Sequence, residues 1–480
     1  MTSPIALRNF VAGAWTPGHG PAFASTSPHD PSTVVGQGTS STVEDVDAAV
    51  AAAAAATQSW RRTPMHERAA YLSRAATVVE SNAEQWAREL TIEEGKPIGE
   101  ARGEIGRAAE ILRYVAGQAN NSVGQVFASP RAGERIVVDR RPVGVVAVVS
   151  PFNFPIAIPA WKIAPALVHG NTVVWKPPTS VSVLATRLTE AFAEAGLPDG
   201  VLSLVHGEGD TGAWLVEHAG VDAVTFTGST SVGRRIAGSC AAKGIAVQAE
   251  MGGKNAAIVL PDADLDNAVS HVVSGAFRSA GQKCTATSRL VLHEKIADRF
   301  LSMLADAVRE LVVGDPLEPN TFVGPLVSAR SRDNVTEAIE SASADGATVV
   351  VRGELDDALE GHYVAPTVME VTGNDAGIWR EELFGPVLAV RRVHDVAEAV
   401  EAASVGEYGL CASVFTTDLE ATTYVSAELN VGMVHVNSET AGADPHVPFG
   451  GNKASSYGPR EQGTASREFF TTTTTTYVRV

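Results

Sequence analysis

Along the chain the apolar positions first take a helical period and then change to short strand-like runs. The Ala-rich stretch 44–60 (EDVDAAVAAAAAATQSW) reads as helix, because alanine is the best helix former. Helical patterning, with acidic residues near helix starts, continues to about residue 120. Residues 123–149 then carry β-rich runs such as RIVVDRRPVGVVAVV, broken by Pro142 and Gly144. Beyond them strands and helices alternate: NTVVWK is a strand, 181–195 a helix, VLSLVH a strand, TGAWLVEHA a helix and AVTFTG a strand. That rhythm predicts βαβ units and a parallel sheet covered by helices on both faces. A second set follows, with AAIVL, SRLVLH, TVVVRG, LAVRRV, ASVFT and GMVHVN as strands, so the fold class is α/β in two halves. The tail, FFTTTTTTYVRV, is β-prone; it reads as a solvated edge strand or, being so long at a terminus, as one that needs a partner such as another subunit.

Composition narrows the class. Hydrophobic residues make up 45% and charged residues 19%, as in ordinary folded proteins. No apolar run approaches the ~18 residues of a membrane span, and the N-terminus lacks the basic and apolar regions of a secretory signal. The expectation is a cytoplasmic chain with no membrane partner. A net charge of −18 argues against nucleic acid as a partner. Three cysteines, Cys240, Cys284 and Cys411, are too few for a disulfide framework. No His/Cys cluster suggests a metal.

Three residues stand out chemically. Cys284 lies in GQKCTATSR, a polar turn between a helical run and the strand SRLVLH. Buried inert cysteines favour apolar runs, as Cys411 has in GLCASVF. A nucleophilic thiol needs backbone donors or cations to reach the thiolate, and the tight turn and Lys283 are placed to help. Glu250 ends the apolar run GIAVQAE and precedes two glycines; such a carboxylate can be a general base or an ordinary ion-pair partner. Asn153, held in PFNFP, can donate to a developing oxyanion or to its own turn. Two glycine-rich loops compete for a dinucleotide: GEGDTG and FTGSTSVG each follow a strand and open a helix, and pattern alone leaves the choice open.

Taken in order, PFNFP, WKP, FTGSTSVG, EMGGK, GQKC, EELFGP and VPFGG resemble the aldehyde dehydrogenase superfamily over almost the entire chain. The wording MGGKN, FRSAGQKCTATSR and SSYGPREQG is most similar to bacterial 2-oxoglutarate semialdehyde (2,5-dioxopentanoate) dehydrogenases. The resemblance implies NAD(P)⁺-dependent oxidation of a small-molecule aldehyde to an acid. Cys284 is then the nucleophile, Glu250 the base for deacylation, Asn153 the oxyanion donor and Lys162 a lysine near the base. Lys176 reaches the adenosine ribose, Gly228, Ser229 and Gly233 hold the pyrophosphate, Gly209 lines the adenine site, and Glu382 and Phe384 hold the nicotinamide end. It also implies a Rossmann-like cofactor domain (1–122 and 143–251), an α/β catalytic domain (252–452), and a small β oligomerisation element (123–142 and 453–480). The assembly expected is a homodimer or homotetramer.

Two departures refine this. Many NAD⁺-preferring members carry Glu three positions after the ribose lysine, where this chain has Thr179; Thr179 and Ser180 would tolerate a 2′-phosphate, so NADP⁺ is preferred, with NAD⁺ accepted. Arg278 and Arg107 suggest a substrate with its own carboxylate, while Trp161, where many succinic semialdehyde dehydrogenases have arginine, argues against that substrate. The alternatives are a broad aliphatic or aromatic aldehyde dehydrogenase, a succinic semialdehyde dehydrogenase, and, remotely, a catalytically silent structural relative, which would be expected to lack the nucleophile or base.

Overall fold

Thr42 starts the first long helix, Val43–Arg62, through a capping box: its hydroxyl accepts from the Asp45 N–H, and the Asp45 carboxylate accepts from the Thr42 N–H. The helix buries Val46, Ala49, Val50, Ala53 and Trp60 along one face. Helices Met65–Ser81, Ala83–Glu94 and Ile98–Gly117 follow, so the helical reading of this region holds. The structure is a computed structural model that describes residues 3–479.

The alternating region forms an eight-stranded sheet. Its order is Ser456–Tyr457, Ala246–Glu250, Ala223–Thr227, Val145–Val149, Thr172–Lys176, Leu202–Leu204, Asn9–Val11 and Ala14–Thr16. The five strands from Ala246–Glu250 to Leu202–Leu204 are parallel, and those at the sheet's middle are buried along almost their whole length because helices cover both faces. From Val145–Val149 the chain moves outward to Leu202–Leu204, then returns to the opposite side of Val145–Val149. That reversal opens a crevice beyond the carboxyl ends of the strands. Val149, Lys176, Thr227 and Glu250 end four of these strands, so their loops converge there.

A second, seven-stranded sheet with its own apolar core runs Thr348–Arg352, Thr367–Glu370, Val387–Val393, Thr287–His293, Asn255–Val259, Cys411–Phe415 and Met433–Val436. Cys284 lies just before Thr287–His293 and so faces the first sheet's crevice from the other half. Strand Thr367–Glu370 and the N-terminal sheet of Ile5–Leu7, Val34–Thr39 and Ala22–Thr26 are absent from the sequence reading.

The Thr-rich tail, Thr471–Arg479, pairs antiparallel with Glu134–Pro142, from Thr471 opposite Pro142 to Arg479 opposite Glu134. Gly124–Ala128 completes this three-stranded arm, whose Val126, Phe127, Tyr477 and Val478 are exposed. Residues 453–470 depart from the expected boundary. They return to the first unit, where Ser456–Tyr457 pairs with Ala246–Glu250 and Glu461 is buried beside Lys162. Among the described residues no helix is long and apolar enough to cross a membrane.

Candidate active site

The Cys284 loop is shaped by an unusual backbone. Ser279, Ala280 and Gly281 all have positive φ, at 53°, 51° and 71°. Such residues cost free energy and need outside support. Glu100 supplies it, accepting from the Ser279 N–H at 3.1 Å and the Ser279 hydroxyl at 2.7 Å. Gly281 has no substitute here, since a Cβ would stand 2.2 Å from the Gly385 carbonyl oxygen. Downstream, the Asn255 amide donates to the Cys284 and Ala286 carbonyls, each at 2.8 Å, and accepts from the Cys411 N–H at 3.2 Å. Asn255 did not stand out in the sequence, because its partners come from two segments distant in the chain.

Asn153 follows strand Val145–Val149 and faces this loop. Its amide nitrogen donates to the Gln282 carbonyl at 2.9 Å, which uses one of its two N–H bonds and leaves the second for a ligand. The loop is clamped at both ends. Buried Lys96 donates at 2.6 Å to the Asn153 carbonyl and at 2.6 Å to Glu104, whose other oxygen accepts from the Ile156 and Ala157 N–H groups. Among the described residues the Cys284 N–H has no backbone acceptor, so it is a second donor for an oxyanion.

Glu250 is buried at the end of its strand, and its carboxylate accepts from the Ser456 hydroxyl. Burial, followed by the charge of Glu461, pushes its carboxyl well above the usual range, and Ser456, Lys162 and Arg460 oppose the shift. Lys162, fully buried on helix Ala157–Val168, donates to Glu461, to the Thr225 hydroxyl at 2.9 Å and to the Phe226 carbonyl at 3.2 Å. The Trp161 indole holds the other Glu461 oxygen at 2.8 Å. Glu461 therefore joins the expected pair, although its motif, GPREQG, marked only a resemblance. Burial, then the charges of Glu382, Glu250 and Glu461, push the Cys284 thiol far up, so it is protonated in this state. Lys283 does not offset this as expected; its ammonium turns to the Ser274 carbonyl at 3.5 Å.

A cavity of about 480 Å³ opens onto Cys284. Phe154, Ile158, Trp161 and Phe449 give it apolar walls, and Arg107 lines it. Arg107 is partly engaged, 3.0 Å from Glu110 and 3.7 Å from Asp444. Arg278 does not line the cavity. It is exposed, stacks 4.9 Å from the Phe322 ring centre and donates to the Ser274 hydroxyl. The turn through Ser279 and Ala280 sends the chain away from Arg278 before it reaches Cys284.

On the cofactor side, Ser229 caps helix Thr230–Lys243 without a side-chain hydrogen bond, leaving first-turn N–H groups for an anion. Gly233 allows Met251 to approach, since a Cβ there would lie 2.5 Å from its sulfur. Lys176 ends its strand, and burial lowers its ammonium to about 8 while Glu208 opposes the shift. The Thr179 hydroxyl donates to the Glu208 carboxylate at 2.8 Å. Ser180 accepts from the Ser25 hydroxyl through its carbonyl, and Gly209 begins helix Gly209–Glu217 with open space where a side chain would be. Glu382 accepts from the Gly253 N–H at 2.9 Å, and burial raises its carboxyl to about 7. Phe384, at φ 56°, packs edge-on to Phe152 with ring centres 5.7 Å apart. A helix N-terminus without a side-chain cap, a buried lysine and the carboxylates of Glu208 and Glu382 fit a nicotinamide dinucleotide.

Comparison with known proteins agrees with this arrangement. The profile of the aldehyde dehydrogenase family matches residues 15–476. Alpha-ketoglutaric semialdehyde dehydrogenase of Bacillus subtilis is 42% identical over 100% of this chain and 99% of its own length. Phenylacetaldehyde dehydrogenase of Pseudomonas fluorescens is 42% identical over 90% of this chain and 88% of its own. The crystal structure of an NAD-dependent aldehyde dehydrogenase from Sinorhizobium meliloti superposes with a TM-score of 0.96 at 35% identity, covering 99% of this chain and 95% of that one. With Cys284, Glu250 and Asn153 meeting at the crevice between two α/β halves, the chain belongs to the aldehyde dehydrogenase family.

Proposed function

We propose that this enzyme oxidises a short semialdehyde bearing a carboxylate, of the 2-oxoglutarate semialdehyde type, to the corresponding acid. The observation that carries the reading is Arg107 on the wall of the Cys284 cavity. An arginine there can take the far carboxylate through two parallel hydrogen bonds and so hold the aldehyde carbon against the thiol. Arg278, turned outward onto Phe322, has no part in this. The Bacillus subtilis relative supports the same substrate class.

In this mechanism the Cys284 sulfur adds to the aldehyde carbon and its proton leaves. The carbonyl oxygen becomes an oxyanion between the Asn153 amide and the Cys284 N–H. Losing one such donor typically costs about 10²–10³ in rate. When bound, the oxidised nicotinamide supplies a positive charge near the thiol and the acceptor for the hydride. The acyl group stays on Cys284 as a thioester. Glu250 then takes a proton from water, the water oxygen attacks the thioester, and the sulfur leaves as the acid forms. Because burial, then Glu461, raises the Glu250 carboxyl well above its ordinary range, this step should speed up as pH rises.

For the cofactor, Glu208 supports NAD⁺ rather than the NADP⁺ suggested by Thr179. The carboxylate missing at Thr179 is supplied from the neighbouring loop, 2.8 Å from the Thr179 hydroxyl. It can accept from a ribose 2′-OH and would repel a 2′-phosphate.

A second reading, an aromatic aldehyde as substrate, is favoured by the walls of Phe154, Ile158, Trp161 and Phe449 and by the Pseudomonas fluorescens relative. A steady-state panel of 2-oxoglutarate, malonate and succinate semialdehydes, phenylacetaldehyde and hexanal, each with NAD⁺ and NADP⁺, decides between them. The highest kcat/KM on a carboxylate-bearing semialdehyde supports the first; the highest on phenylacetaldehyde overturns it.

A further inference from the structure

We infer that the junction between the helical layer and the β arm is a binding site for one small inorganic oxyanion of the phosphate or sulfate type. A cavity of about 60 Å³ lies there, shares no lining residue with the cavity at Cys284, and is too small for a nucleotide. Four basic side chains line it from four separate segments. Arg68 comes from helix Met65–Ser81, His169 follows helix Ala157–Val168, Arg140 comes from strand Glu134–Pro142, and Arg467 from helix Ser466–Phe470.

The charge of this cluster is poorly answered. Among the described residues, Glu468 is the carboxylate in contact with it, on Arg140 at 2.5 Å, and Glu468 is itself half exposed. Arg68 spends its N–H groups on neutral acceptors, the carbonyls of Val168, Trp60, Arg61 and Thr63. Arg467 donates to the Ser122 carbonyl at 2.8 Å. Its Nε is nevertheless shut off from solvent with no acceptor, and so is Nε2 of His169. Buried polar atoms without a partner are uncommon in folded proteins, and here one of the two belongs to a guanidinium with two more guanidiniums lining the same cavity, which calls for an anionic acceptor. Burial, then the charges of Arg467, Arg68 and Arg140, hold the His169 ring at about 3, so it is neutral and can offer an N–H in one tautomer. An oxyanion with three or four acceptor oxygens would meet both orphaned donors and the arginines at once. It would tie the arm strand and the last helix to the helical layer.

The test uses the full-length enzyme with its cofactor site filled by saturating NAD⁺, so that phosphate cannot compete at the helix that follows Ser229. Phosphate is titrated at constant ionic strength against chloride, with the melting temperature and the heat of binding as readouts. The expected result is a saturable rise of a few degrees that chloride does not give. Arg467→Gln and His169→Gln should each weaken the apparent phosphate affinity at least about tenfold, leaving kcat unchanged. Sulfate should substitute for phosphate. An equal rise with chloride, no saturable heat with either oxyanion, or an unaltered affinity in both variants would overturn the proposal.

Discussion

Replacing Glu208 by glutamine tests how this chain chooses its cofactor. The Thr179 hydroxyl donates to the Glu208 carboxylate at 2.8 Å, and a glutamine carbonyl can keep that bond, so the loop should hold its place while the charge is lost. A 2′-phosphate beside this carboxylate brings two like charges to about 4 Å, worth ~1 kcal/mol in water and ~4 kcal/mol at an effective dielectric of ~20. Glu208 is exposed, so solvent screening favours the lower end, about 1–2 kcal/mol. Relief of that repulsion alone should raise kcat/KM with NADP⁺ by about 5- to 30-fold, since 1.36 kcal/mol is a factor of ten. NAD⁺ loses a charged acceptor for its 2′-OH, so its kcat/KM should fall, with the change mostly in KM. The assay is steady-state NAD(P)H formation at one saturating aldehyde, varying each cofactor. A ratio of NADP⁺ to NAD⁺ efficiencies that moves by less than about threefold would refute the reasoning and return the choice to Thr179 and Ser180.

Glu250→Gln should give a pre-steady-state burst of reduced cofactor followed by turnover slowed about 10²–10⁴-fold, because acylation survives and deacylation does not; a stopped-flow trace without a burst refutes the division of labour. Arg107→Ala should lower kcat/KM on a carboxylate-bearing semialdehyde by about 10-fold or more while sparing hexanal, and Arg278→Ala should leave the ratio unchanged. An equal loss on both substrates would make Arg107 structural. Glu94 is buried with neither carboxylate oxygen hydrogen-bonded, and burial raises it to about 8 from 4.5. The folded state thus holds a proton that the unfolded chain releases. Its stability contribution is full below pH 4.5 and is lost as pH rises through 8. Glu94→Gln should therefore gain melting temperature over the unmutated enzyme between pH 5 and pH 9, by about 1–3 kcal/mol in stability; a difference that stays flat with pH contradicts this.

Much of the architecture was legible because it is written locally. Alternating apolar runs and Ala-rich helical periods set the α/β class, and the threonine tail showed its need for a partner through its β-branched residues alone. Cys284, Glu250 and Asn153 were visible because a glycine or a proline stands within three residues of each. What stayed hidden depends on distance in sequence. Glu461, 299 positions from Lys162, completes the buried pair beside Glu250. Arg278 stands near Cys284 in sequence and is carried away by two residues with positive φ, whereas Arg107, far off in sequence, reaches the cavity.

The sequence by itself determined the kinds of element and, through the ordered motifs of a family resemblance, marked Cys284, Glu250 and Asn153 as candidates, since period and short motifs are local. Tertiary structure alone decided which charges meet: Glu208 with Thr179, Glu461 with Lys162, Lys96 with the Asn153 carbonyl. The physical reason is range. Periodicity and turn chemistry act over a few residues, whereas a hydrogen bond or an ion pair depends on separation in space, which the order of strands in a sheet sets and no local pattern records.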